Sequence, residues 1–340
     1  MSDKDLTSPG SEQKAVQGKP NRVVGSIKRL FYARETGIAF VVLAIIIFLS
    51  LATDTFFTAS NLAVVSRVIA LNAIIAIGMT LVILIGGIDL SVGSVVALTS
   101  VMVGLTMVRA NMPILASITI GILTGVLIGF INGLLIVKTK VPPFIITLGM
   151  MGLARGAALV ITKGTSISGF PPEYFPIGQG LLFNYVPIPV IIAAVIAIIA
   201  HILLSRTTFG RRIYLLGSNE EATLLSGINV NRMKIVVFTI CSALASVEAI
   251  VETSRMSTGQ PASGTGYELT AIGSVIIGGA SMAGGEGTIL GTILGAILLG
   301  LITNGLILLG ISAYWQQVFS GAIIILAVAL DTWRRSRETK

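Results

Sequence analysis

The chain has 340 residues, 54% of them apolar and 11% charged, with a net charge of +8 and a mean hydropathy of +0.94. Soluble domains carry about 25% charged residues, so this composition excludes an ordinary soluble domain and points to a membrane protein. One cysteine, Cys241, excludes a disulfide framework, and one histidine, His201, leaves zinc chemistry and a Ser-His-Asp triad poorly supplied.

The fold class expected is an all-α, multi-pass membrane protein. Residues 1–25 are polar and, with the basic Lys28, Arg29 and Arg34, make residues 1–35 a disordered cytoplasmic tail. The first apolar run starts near Gly37, too far in for a cleaved signal peptide, and reads as an uncleaved span. A transmembrane domain over 36–333 follows. From Gly37 to Val108 the charged residues are Asp54, Arg67 and Asp89, and from Leu269 to Leu330 only Glu286. Runs of about 20 apolar residues cross a bilayer. Ten spans are expected, at 37–53, 62–85, 93–109, 114–137, 143–162, 186–204, 235–254, a short glycine-rich 268–279, 288–309 and 314–332. A basic tail, 334–340, ends the chain.

The basic residues set the orientation. They lie before the first span, at Lys138 and Lys140, in a polar island from Arg206 to Lys234, and after the last span. Positive loops stay cytoplasmic, so both termini are cytoplasmic and the span number is even. The same distribution argues against nucleic-acid binding. Lys163–Val186 then falls outside.

An internal repeat is visible. The fourth span runs Gly121, Gly125, Gly129, Asn132-Gly133-Leu134, and the ninth runs Gly291, Gly295, Gly300, Asn304-Gly305-Leu306. The two spans point in opposite directions, so the halves, about 62–162 and 235–332, form an inverted repeat as transporters use. Glycines four apart make a close-packing face.

Five segments carry the functional reading. In the island, Glu221-Ala222-Thr223 precedes Gly227 within a loop over 205–234. Gly86-Gly87-Ile88-Asp89-Leu90-Ser91 breaks the helical pattern between two spans; Asp89 is either a functional acid at membrane depth or, like Ser91, a helix cap. Gly278-Gly279 and Gly284-Gly285-Glu286-Gly287 form a second break. The polar run Thr258–Glu268 is a plain loop or a surface that meets substrate or a binding protein. In the seventh span Glu248, Glu252 and Arg255 share a helical face; Glu252 can pair with Arg255, and Arg155 is a candidate partner for Glu248. There is no Gly-x-x-x-x-Gly-Lys-Ser/Thr phosphate loop, and Leu225-Ser226-Gly227 only brushes an ATPase signature.

Ala76–Ser94, Gly217–Asn231, Gly264–Leu269 and Gly278–Gly287 together resemble the permease subunits of bacterial sugar ABC importers, the ribose permeases above all. The likeness covers nearly everything beyond about residue 35. It implies a type II-like permease in the bacterial cytoplasmic (inner) membrane. Two copies would form the pore. A periplasmic or lipid-anchored binding protein would deliver the sugar, and a cytoplasmic ATPase with two cassettes would bind ATP and Mg and drive alternating access. This chain would have no cofactor, no metal and no catalytic residue. Asn219, Glu220, Glu221, Ala222, Thr223, Leu225, Ser226 and Gly227 would couple to the ATPase. Gly86, Gly87, Asp89, Ser91, Gly278, Gly279 and Glu286 would line or hinge the path, with Asn72, Thr80, Asn132 and Asn304 as sugar-bonding candidates. The chain departs from the family pattern at Thr223, where a second alanine is expected, at Glu248, where a small residue is expected, and at Thr270, where an aspartate is expected.

A rival reading is an ion-coupled secondary carrier with Asp89, Glu248 and Arg155 as its site. It explains the repeat and leaves the Glu221–Gly227 loop without a role. An intramembrane enzyme lacks a nucleophile–base pair or metal cluster.

Overall fold

The computed structural model describes residues 34–312 and, beyond them, positions 315, 318, 321, 322, 325 and 329. The two tails and nearly all of the expected tenth span lie outside the described residues. Eight helices there are long and apolar enough to cross a membrane. They are α1 (Arg34–Ala52), α2 (Ala59–Leu84), α3 (Val92–Gly104, continued by a π-helical turn at Leu105–Arg109), α4 (Ile114–Thr139), α5 (Pro143–Thr162), α7 (Ile188–Arg206), α10 (Val230–Met256) and α12 (Ile289–Leu308). Three short helices, α6 (Pro176–Gln179), α8 (Thr208–Ser218) and α9 (Glu220–Leu225), lie in the connections, and a short apolar helix, α11 (Tyr267–Ile277), stands where the short span was expected.

Proline starts several of these helices and an αL residue ends them. Pro143 opens α5 and Pro189 lies in the first turn of α7, where a fixed φ and a missing N–H cost nothing. Lys140, Lys163 and Ser257 close α4, α5 and α10 in left-handed conformation.

The centre of the molecule is built from α2, α3, α10, α11 and α12, and the glycines decide how it packs. On α4, a Cβ at Gly121 would strike the Val103 side chain. One at Gly125 would strike Ser246, one at Gly129 the Phe238 carbonyl, and one at Gly133 the Ile235 backbone. Descending residues on α4 meet ascending ones on α10, so the two helices cross antiparallel, backbone against backbone. On α12, Gly291 packs on Gly278, Gly295 on Ser274, and Gly300 on Ile69 of α2. The first half therefore lends its glycine helix α4 to α10 of the second, whereas α12 sets Gly291 and Gly295 against the end of α11 in its own half and only Gly300 against α2. The asparagines that follow the two stripes are ties as well, Asn132 within the first half and Asn304 across to α2. Asn132 donates to Ser91 Oγ at 3.0 Å, and Asn304 and Asn61 bond each other reciprocally. Thr80 and Thr292 hydroxyls pair at 2.7 Å, and Thr99 and Ser246 at 2.9 Å.

The stretch expected outside, Lys163–Val186, folds back onto the protein. β1 (Ile167–Ser168) pairs antiparallel with β4 (Thr258–Gly259), and a short hairpin joins β2 (Leu181–Leu182) to β3 (Val186–Pro187). Tyr174 is fully buried and donates to the Ile250 carbonyl at 2.7 Å; burial pushes its hydroxyl well above the usual phenol range, so it stays a donor. Gly178 N–H donates to Ser254 Oγ at 2.8 Å. This fold-back caps the end of α10 opposite the polar island.

Candidate functional site

The polar island forms two capped helices. Thr207 caps α8, its hydroxyl accepting from Gly210 N–H at 3.1 Å. Asn219 caps α9, accepting from Ala222 N–H at 2.9 Å, and Asn229 caps α10, accepting from Arg232 N–H at 3.0 Å. Side-chain acceptors of this kind satisfy N–H groups that a helix start leaves unpaired. Gly227, at φ +77°, turns the chain out of α9 with open space around it, a conformation that glycine adopts freely.

Of the residues expected to couple, Thr223 is buried and donates to the Asn219 carbonyl at 2.7 Å, while Asn219, Glu220, Glu221, Ala222, Leu225, Ser226 and Gly227 are exposed. The departure at 223 thus faces inward, its hydroxyl on the carbonyl one turn back. Glu220 is held by Lys234 Nζ at 2.7 Å. Leu224 and Leu225 are 60% and 83% exposed. They project from a polar segment beside a groove of about 340 Å³ lined by Leu224, Gly227, Ile228, Asn229, Val230 and Asn231.

The two glycine breaks meet this segment, which the sequence did not reveal. Gly284 lies against Gly86 N and Gly217, Gly285 N–H donates to the Leu84 carbonyl at 2.9 Å, and Ser218 lies against Gly285. A Cβ at Gly217 would overlap the Leu84 carbonyl and Gly285 N. Tyr214 of α8 donates to the Gly287 carbonyl at 2.8 Å, its hydroxyl kept protonated by burial, which raises it. So the end of α2, the loop 278–288 of the second half and α8 are one contact. Gly278 and Gly279 turn the end of α11 into that loop, where Glu286 is exposed.

The polar candidates of the path separate into groups. Asp89 is fully buried and accepts from Ser91 N–H and Oγ at 2.9 and 2.6 Å. Ser91 in turn bonds Asn132, so these three form one network behind the Gly86–Gly87 loop. Ser91 precedes α3 but makes no side-chain cap bond to it. Thr80 and Asn304 serve as ties between helices, and Asn72 is half-buried on α2.

Two expected pairings are corrected. Arg155 does not reach Glu248; its guanidinium donates to the carbonyls of Pro261, Ser263 and Gly93. Glu252 does not pair with Arg255 but accepts from Tyr267 at 2.6 Å. No bond joins Asp89, Glu248 and Arg155, so the three do not assemble an ion site. Among the described residues no three His, Cys, Asp or Glu side chains come together as metal ligands would.

Glu248 is fully buried with neither carboxyl oxygen bonded. A buried polar group without a partner costs about 1–3 kcal/mol. Glu248→Ala is therefore expected to raise the thermal midpoint of the detergent-solubilised protein, read in a melting scan. A lower midpoint would show that the carboxyl stabilises the folded protein.

Residues 59–328 match the family described as "Branched-chain amino acid transport system / permease component". The chain is 45% identical over 295 residues to the ribose import permease protein of Escherichia coli strain K12, covering 85% of this chain and 91% of that one. It is 42% identical over 311 residues to the ribose import permease protein of Haemophilus influenzae, covering 90% and 95%, and 43% over 289 residues to that of Bacillus subtilis, covering 84% and 89%. No solved structure gives a significant match. In such systems ATP is hydrolysed by a separate subunit, and a substrate-binding protein is the other partner. A helical membrane protein with these relatives over most of its length belongs to the permease family of ABC importers.

Proposed function

We propose that this chain is the permease through which a monosaccharide, ribose or a related sugar, enters the cytoplasm. Two copies form the pathway in the bacterial cytoplasmic membrane. A cytoplasmic ATPase, which binds ATP and Mg, docks on Asn219–Gly227, and a binding protein delivers the sugar at the opposite face. The observation that carries the mechanism is the contact of α8 with both glycine breaks. A push on α9 passes through Gly217 and Tyr214 to the end of α2 and to the 278–288 loop, one element from each half. Such rocking of two packed halves is alternating access.

The basic end supports the orientation. Lys138 and Lys140 close α4 beside the start of α10, and Thr288 bonds Glu35 of α1 at 2.8 Å, beside the Gly287 that meets Tyr214. The entry of α1 and these lysines share the end of the molecule that carries the island, as a cytoplasmic face requires. The sugar assignment rests on the relatives, whose names include ribose, D-allose and fructose import.

Proteoliposomes holding this permease, its ATPase and its binding protein test the reading. Ribose is expected to enter with ATP hydrolysis. Glu221→Arg, which reverses an exposed charge on α9, is expected to lower ATPase binding and uptake together. Solute movement by the permease alone down an ion gradient, without ATP, would overturn the proposal.

A further inference from the structure

The segment between α10 and α11 is not a surface loop. Gln260 N–H donates to Ser100 Oγ at 3.1 Å, Gly259 lies against the Ser100 carbonyl, and Gly264 lies against the Gly93 carbonyl. Ser100 and Gly93 both belong to the membrane-crossing helix that begins at Val92. They are seven residues, about 10 Å, apart along it. Residues 259–264 therefore run along α3 from Ser100 to Gly93 through a series of turns, with Ser263 N–H on the Gln260 carbonyl and Gly264 at φ +70°, and α11 starts there. Irregular backbone at membrane depth survives only inside protein or along a water-filled cavity.

The segment is stapled by Arg155, thirteenth of the twenty residues of α5. Its Nη1 donates to the carbonyls of Pro261 at 2.9 Å and Ser263 at 2.5 Å, and its Nη2 to Gly93 at 3.3 Å. Glu268, in the first turn of α11, lies against Gly93 and close enough to Arg155 to interact with its charge. An ionisable pair at membrane depth marks a substrate pathway by default. Around it the surface is open. Thr265 is exposed, and Glu268 and Thr270 are half-buried. Gly152, one helical turn before Arg155 on α5, leaves empty space where a Cβ would stand. Thr265 and Thr270 give their hydroxyl protons to the carbonyls of Ala262 and Gly266, so their lone pairs face outward as acceptors.

We propose that this ledge, Glu268 with Thr265 and Thr270, held in place by Arg155, is the station where the sugar is bonded in transit and where sugars are discriminated. The inference rests on the reading of the chain as a monosaccharide permease. Arg155 and Glu268 sum to zero charge, which suits a neutral polyol over an ion. A carboxylate accepts hydrogen bonds from two neighbouring hydroxyls, and threonine oxygens accept from others. A zwitterionic amino acid would need a cationic group free to take its carboxylate, and three donors of Arg155 are already committed to the backbone.

The test uses the full complex in proteoliposomes, with uptake of ribose, allose, arabinose and leucine measured per ATP hydrolysed. Glu268→Gln is expected to lower sugar uptake per ATP about tenfold, the effect of about 1.4 kcal/mol. Thr265→Ala, at an exposed position, is expected to change the order of preference among the sugars through KM. Wild-type uptake and preference order in both variants would overturn the ledge while leaving the permease reading intact. If Glu268→Gln fails to assemble, an unchanged order in Thr265→Ala overturns it alone. A wild-type complex that carries leucine and no sugar would overturn the permease reading itself.

Discussion

A Gly217→Val permease is expected to lose coupled uptake by roughly 5- to 150-fold, the span of a coupling free energy of 1–3 kcal/mol, while still inserting in the membrane. The added Cβ falls on the Leu84 carbonyl and on Gly285 N. Both are backbone atoms, so neither can swing aside as a side chain would. Relief comes only by parting α8 from the end of α2 or from the 278–288 loop. Either motion breaks the path by which α9 reaches the two halves. On the proposed docking at α9, whose exposed residues include Glu221 and Leu225, ATPase binding is expected to persist. Uptake and ATPase co-purification measured on the same preparation separate the two effects. Normal uptake in Gly217→Val would show that force travels elsewhere.

Gly129→Leu is expected to abolish accumulation of folded protein. A Cβ there meets the Phe238 carbonyl at 2.5 Å and the Ser242 Cβ and Thr239 Cα at 2.8 Å each. Overpacking a tight site costs about 1–3 kcal/mol, sometimes more, and here a whole side chain must enter a backbone-to-backbone crossing. Gly149→Ala is the control, since nothing lies within 4 Å of its added Cβ, and it is expected to accumulate normally. The readout is the monodisperse fraction after detergent extraction. Equal yields for the two variants would show that α4 and α10 do not cross as described.

The spans were legible because twenty apolar residues have one reading in a bilayer, and α4 and α5 begin within a residue of their expected edges. The polar segment between α7 and α10 was legible because a basic island between two such runs stands out, and Asn219 and Asn229 mark helix starts in it. The meeting of Gly86 with Gly284 was not legible. Nearly two hundred residues separate them in the chain, and glycine spacing says that something approaches closely without saying what. The fold-back of 163–187 was hidden for a similar reason. Its anchors are backbone carbonyls of Ile250 and Tyr174 and the hydroxyl of Ser254, which no residue pattern advertises. Arg155 was read as the partner of an acid because charge attracts attention, whereas its targets are three carbonyls. The depth of Thr258–Glu268 escaped the sequence because a polar run looks the same inside a cavity as outside a membrane.

The packing of α4 on a helix of the other half has a consequence for biogenesis. While the ribosome makes the first half, α4 has no α10 to receive it, and its row of glycines stays bare in the bilayer until residue 256 has been inserted. The first half is then an unfinished bundle awaiting its mate, and insertion alone does not complete it. A chain severed within the 206–229 island would yield two pieces, neither stable by itself, and only co-translation of both could rebuild the permease.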